Sequence, residues 1–160
     1  MGGLTAPQRW SVGREDLGSR TLTSMRTYSH VLERLKAAGL RPTRQRLALA
    51  RLLLESGHRH LTAEELFHEA RMAGIPVSLA TVYNTLHQFT SVGLLREVVV
   101  DMGQSYFDTN TSHHHHFFDE SNGRLTDIPD QDIAISRLPD PPAGAEIERV
   151  EVIVRLRRVD

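Results

Sequence analysis

Apolar positions recur with a helical period from Tyr28, where Tyr28, Val31, Leu32, Leu35 and Ala38 share one face and Gly39 ends the run. Pro42-Thr43 opens a second helix with Leu47, Ala50, Leu53 and Leu54 as its buried stripe and Gly57 as its stop. Thr62 followed by Glu65 has the spacing of a capping box and starts a third helix that runs to about Met72. Pro76 and Ser78 precede a fourth, from about Leu79 to Val92, closed by Gly93. The period then shortens. Leu94–Val100 is apolar and β-branched, Asp101-Met102-Gly103 predicts a turn, and Gln104–Asp108 pairs back as a second strand. Beyond it, His113–Asp119 and Arg124–Ile128 flank Ser121-Asn122-Gly123, a hairpin signal. Asp130–Leu138 predicts a short helix. Val150, Val152, Val154 and Leu156 alternate with Glu151, Ile153, Arg155 and Arg157 as a half-buried strand.

The pattern predicts an α+β protein. Residues 1–24 lack sustained periodicity and are expected to be a flexible N-terminal arm. Residues 25–108, helices followed by a hairpin, are expected to form a winged helix-turn-helix whose fourth helix reads DNA. Residues 109–160 are expected to form a small α/β unit. With some 50 residues and three short strands it lacks a core of its own, so pairing with a second copy is expected.

Charge divides the chain at the same place. Up to Arg96 there are 13 basic and 7 acidic residues, and from Glu97 onward 6 and 13, within a net charge of −1. Between Arg26 and Arg51 seven basic residues face Glu33 alone. A basic first half suits double-stranded DNA, and an acidic second half suits metal or self-association. Arg41, Arg44 and Arg46 flank the second helix as phosphate contacts. Ser78, Thr81, Tyr83 and Asn84 bring hydroxyls, a phenol and an amide to the first turns of the fourth helix, suited to base edges and phosphates. No run is long enough to span a bilayer and the N-terminus has no signal-peptide core, so a cytoplasmic protein with no membrane partner is expected.

The chain has no cysteine, which removes thiolate zinc sites and leaves His, Asp and Glu as ligands. His113-His114-His115-His116 is the most unusual stretch. On a strand, His114 and His116 face one side, and His113 and His115 the other. Asp108 precedes them across a turn, Asp127 returns on the paired strand, and His60 stands at the edge of the first unit as a ligand that bridges the two. Such a set suits Fe(II), Mn(II) or Zn(II), and neutral imidazole also suits haem iron. A hydrolytic metalloenzyme is disfavoured, because no general base is tied to the site by motif and a basic helix-turn-helix has no use in one. A metal- or haem-buffering protein remains a competing reading.

Gly39-Leu40-Arg41-Pro42-Thr43-Arg44-Gln45-Arg46, His60-Leu61-Thr62-Ala63-Glu64-Glu65-Leu66, Ala80-Thr81-Val82-Tyr83-Asn84-Thr85-Leu86 and Gly93-Leu94-Leu95 resemble the ferric uptake regulator family in consistent order over about 28–158. The resemblance implies a homodimer on an inverted-repeat operator, with Tyr83 as the base-contacting tyrosine. It also implies a regulatory metal site at His60, Asp108, His114, His116 and Asp127. The family's frequent Cys-x-x-Cys zinc sites are absent, and the final strand carries no histidine. The missing cysteines, the His run followed by Phe117-Phe118-Asp119-Glu120 and the arginine-rich body are similar to the iron response regulator branch. That branch implies a repressor active on DNA when iron is low and inactivated by haem at His113, His114, His115 and His116. The alternative is a direct Fe, Mn or Zn sensor that binds DNA when metal-loaded.

Overall fold

The computed structural model describes residues 28–101, 103–157 and 159. The expected N-terminal arm and Met102 of the expected turn lie outside them. Helix α1 occupies residues 28–37, followed by α2 (Arg44–Leu54), β1 (His60–Leu61), α3 (Ala63–Met72), α4 (Leu79–Ser91), β2 (Arg96–Asp101) and β3 (Gln104–Asp108). Then come β4 (His114–Asp119), β5 (Arg124–Pro129), a 3₁₀ turn (Asp130–Asp132) and β6 (Ile153–Leu156). The protein is thus α+β, with two three-stranded sheets ordered β1-β3-β2 and β5-β4-β6. No helix among the described residues is long and apolar enough to cross a membrane.

Helices α2, α3 and α4 each start where a side chain satisfies free backbone donors. Thr43 Oγ1 accepts from Arg46 N at 3.2 Å, and Ser78 Oγ accepts from Thr81 N at 3.1 Å. At α3 the box closes both ways: Thr62 N donates to Glu65 Oε2 at 2.7 Å, and Glu65 N donates to Thr62 Oγ1 at 3.2 Å. After α4, Gly93 adopts φ 74°, and Leu94 N reaches back to Phe89 O at 2.9 Å, turning the chain into β2.

The helices share one core with the first sheet. Val31, Leu35, Leu49, Leu53, Leu66, Val82, Leu86, Phe89 and Phe107 are buried together. A second core lies between the sheets, where Val98, Val100 and Tyr106 of the β2–β3 hairpin pack with Phe118 and Leu125. The C-terminal strands therefore find part of their burial on the hairpin of the same chain, which periodicity did not reveal.

Two expectations are corrected. The stretch Asp130–Leu138 is not a helix; only Asp130–Asp132 coil, and Leu138 precedes Pro139, which disfavours helical backbone. The last strand does not show the expected alternation: Val152, Ile153 and Val154 are all half-buried. Parallel pairing places Ile153 beside His116 and against the second core, while Leu156 is exposed. The expected hairpin is present: β4 and β5 pair antiparallel around a turn in which Gly123 takes a positive φ of 66°. His60 lies in β1, a two-residue strand paired with β3 that the periodicity did not predict.

Candidate metal centre

Three registers bring five side chains together. In the first sheet His60 lies opposite Asp108. In the second His116 lies opposite Asp127. Alternation along β4 turns His114 to the same side as His116, so a turn of five residues between β3 and β4 completes the set. One ligand atom from each of His60, Asp108, His114, His116 and Asp127 lies within 4.8 Å of all the others. Asp108 and His116 have no exposed surface, and His114 is 3% exposed.

The polar atoms converge. Asp108 Oδ2 is 2.8 Å from His114 Nε2, 3.4 Å from His116 Nε2 and 3.5 Å from His60 Nε2. His114 Nε2 and His116 Nε2 face each other at 3.0 Å, and His60 Nε2 is 2.8 Å from Asp127 Oδ1. Asn110, not singled out by the sequence, ties back the other oxygen of each carboxylate. Its backbone N–H donates to Asp108 Oδ1 at 2.7 Å and its Nδ2 donates to Asp127 Oδ2 at 2.8 Å. Burial would push the Asp108 carboxyl up, but the His116 and His60 imidazoles beside it and the hydrogen bond from the Asn110 N–H hold it well below the carboxylate range.

These residues fit a divalent cation. His60 Nε2 and Asp127 Oδ1 are buried and close together yet make no hydrogen bond, so their lone pairs are directed inward without a protein partner. Buried polar atoms left in that state are costly unless something else satisfies them. Nitrogen and oxygen donors with no sulfur suit Fe(II), Mn(II) or Zn(II).

The other two histidines of the run form a separate group. His113 Nδ1 lies 2.7 Å from Asp130 Oδ1, and His115 Nε2 3.4 Å from the same atom. Val152 N–H donates to His115 Nδ1 at 3.2 Å. One ligand atom from each of His113, His115 and Asp130 lies within 4.8 Å of the others, a second group able to hold a cation. His113 alone of the four is exposed.

On the helices the expected DNA contacts divide. Arg41, Arg44, Tyr83 and Asn84 are exposed. Arg46 is engaged within the protein: Nε and Nη2 donate to Gln88 Oε1 at 3.0 and 2.7 Å, and Nη1 donates to Arg41 O at 2.8 Å. It braces α2 against α4. Ser78 and Thr81 join hydroxyls at 2.9 Å over the start of α4. The Tyr83 hydroxyl donates to Glu64 Oε1 at 2.7 Å, a bond that raises the phenol pKa, with smaller contributions from desolvation and the Glu64 charge. Glu64 carries no signal in sequence for that pairing.

A family profile described as the ferric uptake regulator family matches residues 37–153. The chain is 37% identical over 94 residues to the peroxide-responsive repressor PerR of Staphylococcus aureus (strain Mu50 / ATCC 700699), covering 59% of this chain and 63% of that protein. The corresponding PerR of Staphylococcus epidermidis matches at 37% over the same length, with 62% of it covered. The chain thus spans less than two thirds of these relatives. Among solved structures, the ferric uptake regulator of Pseudomonas aeruginosa with manganese superposes with a TM-score of 0.62 at 26% identity, over 80% of this chain and 97% of that one. The Vibrio cholerae ferric uptake regulator gives 0.63 at 26%, over 79% and 98%.

Proposed function

The chain belongs to the ferric uptake regulator family, whose members are transcription regulators and not enzymes, and from that membership we propose a direct divalent-metal sensor that controls DNA binding. In this reading residues 25–108 are a winged helix-turn-helix, α4 enters the major groove, and residues 109–160 pair two copies on an inverted repeat. The ligands are His60, Asp108, His114, His116 and Asp127. The observation that carries the reading is the buried, unbonded pair of His60 Nε2 and Asp127 Oδ1 inside that cluster.

A bound divalent cation supplies a positive centre for groups of both sheets. His60 and Asp108 hold the β1–β3 side, while His114, His116 and Asp127 hold the β4–β5 side. Asn110 keeps one oxygen of each carboxylate turned inward. Fixing these sides fixes how two copies of α4 are spaced, and the major grooves they enter lie about 34 Å apart. Arg41 and Arg44 face the phosphates, and Tyr83 and Asn84 the bases, with Ser78 and Thr81 at the helix start.

A haem-responsive reading, in which the regulator acts on DNA when iron is low and haem releases it, has one observation in its favour. The exposed His113 opens onto a cleft of about 650 Å³ lined also by Arg96, Thr111, Ser112 and Arg149. His114 and His116 serve the metal cluster, and His115 is buried, so that reading rests on the exposed His113.

The test is selection of bound duplexes from a random pool with and without Mn²⁺, followed by titration of the selected site. Mn²⁺ is expected to strengthen binding, and His116→Ala to abolish the response. Tyr83→Ala is expected to cost about tenfold in affinity for the site while leaving Mn²⁺ uptake intact. Release by ferric haem, lost in His113→Ala, would instead select the haem reading. Absence of sequence-selective binding under every condition sinks both.

A further inference from the structure

Arg96 is the first residue of β2 and is 8% exposed, an uncommon position for a guanidinium. Its Nη1 donates to the Ser112 carbonyl at 2.8 Å and its Nη2 donates to Glu151 Oε1 at 2.9 Å. Both acceptors also stand behind metal-site imidazoles. His114 Nδ1 is hydrogen-bonded to the Ser112 carbonyl at 2.8 Å, and Glu151 Oε1 lies 3.4 Å from His116 Nδ1, which is buried without a hydrogen bond. The opposite nitrogens of the same two rings, both Nε2, are those that converge in the cluster. One guanidinium fork therefore holds the carbonyl bonded to one imidazole and the carboxylate beside the other.

From this juxtaposition we infer that Arg96 is a positioning residue of the metal centre, fixing the Ser112 carbonyl and the Glu151 carboxylate and, through them, the orientation of His114 and His116. An imidazole that ligates through Nε2 carries its proton on Nδ1, so an acceptor must stand at Nδ1 to fix tautomer and ring plane. The fork holds the acceptor bonded to His114 Nδ1 and the carboxylate beside His116 Nδ1, and its rigid planar geometry suits two fixed partners better than an ammonium does. Arg96 Nε is buried with no hydrogen bond, so this position does not satisfy the guanidinium for its own sake. Proximity alone argues the other way: Arg96 Nη1 is 3.3 Å from His114 Nδ1, and a positive charge so near a cation site repels the cation. Positioning and simple repulsion thus predict opposite signs for the loss of Arg96. Arg96 lies three residues beyond the Gly93 turn that ends α4, so the same fork joins the reading helix to both imidazoles.

The inference rests on the metal reading, and Co²⁺ serves as the probe because its visible absorption reports ligand geometry. Arg96→Lys keeps the charge but loses the fork; Arg96→Met loses both. Each is expected to weaken Co²⁺ binding by about 10–100-fold, the effect of losing outer partners, and to alter the visible bands. Glu151→Ala removes one arm and is expected to cause a smaller loss in the same direction. If Arg96→Met fails to fold, by loss of its near-UV circular dichroism, Arg96→Lys and Glu151→Ala decide. Tighter Co²⁺ binding in Arg96→Met, or wild-type affinity and spectrum in Arg96→Lys and Glu151→Ala, overturns the inference while leaving the metal reading standing. A wild-type protein that takes up no Co²⁺, or a His116→Ala variant that binds it like wild type, overturns both.

Discussion

Asp108 shows how one residue acquires a role from its surroundings. In the sequence Asp108 is marked only by standing just before the histidine run. In the fold it is fully buried, its Oδ1 is held by the Asn110 N–H, and its Oδ2 meets three imidazoles. Its carboxyl is held well below its ordinary value of about 3.9. A depressed folded-state pKa contributes stability that is fully present above the unfolded value and is lost as pH falls through the folded one. Urea midpoints of the metal-free protein should therefore fall steeply below about pH 4, and Asp108→Asn should flatten that limb while leaving the slope above pH 5 unchanged. Equal slopes in the two proteins below pH 4 would mean that Asp108 is not ionised against the imidazoles.

Among the elements, α4 and the turn after it carry the most local information. The helix starts at the Ser78 cap, buries Val82, Leu86 and Phe89, and is ended by Gly93 at φ 74°. Space for a Cβ is available at Gly93, so the cost of a side chain there is conformational and not steric crowding. Gly93→Ala is expected to destabilise by about 1–2 kcal/mol, the left-handed penalty of a residue with a Cβ. Thermal unfolding should show it as a lower Tm with unchanged helical content. A variant as stable as wild type would show that the turn does not require this conformation.

For the whole molecule, the second core decides how the parts depend on one another. Phe118 packs with Tyr106 at 6.1 Å between ring centroids, so the β2–β3 hairpin and the C-terminal sheet share their burial. Phe118→Ala is expected to cost about 3–5 kcal/mol. Its effect should cross between the sheets: amide exchange should quicken in β2 and β3 as well as in β4 and β5. Quickening confined to β4 and β5 would show that the two sheets are stabilised independently. The shared core also qualifies the case for pairing two copies, since the C-terminal strands do not depend on a second chain for all of their burial.

Several features were legible in the sequence because they are local. The capping box of Thr62 and Glu65, the helical stripes, the β4 alternation and the cysteine-free ligand chemistry each need only a few consecutive residues, whose backbone geometry fixes what faces what. These led to the five candidate ligands and to the α+β class. What only the tertiary structure decided is which distant groups meet. The pairing of His60 with Asp108, the placement of Ile153 beside His116, the hold of Asn110 on both carboxylates and the engagement of Arg46 by Gln88 all depend on register or on contacts between separate elements. Arg96 meets Glu151 55 residues away, and no periodicity in the chain encodes that distance. A strand's alternation specifies its two faces but not which face is covered; the partner strand, and the core it brings, settle that.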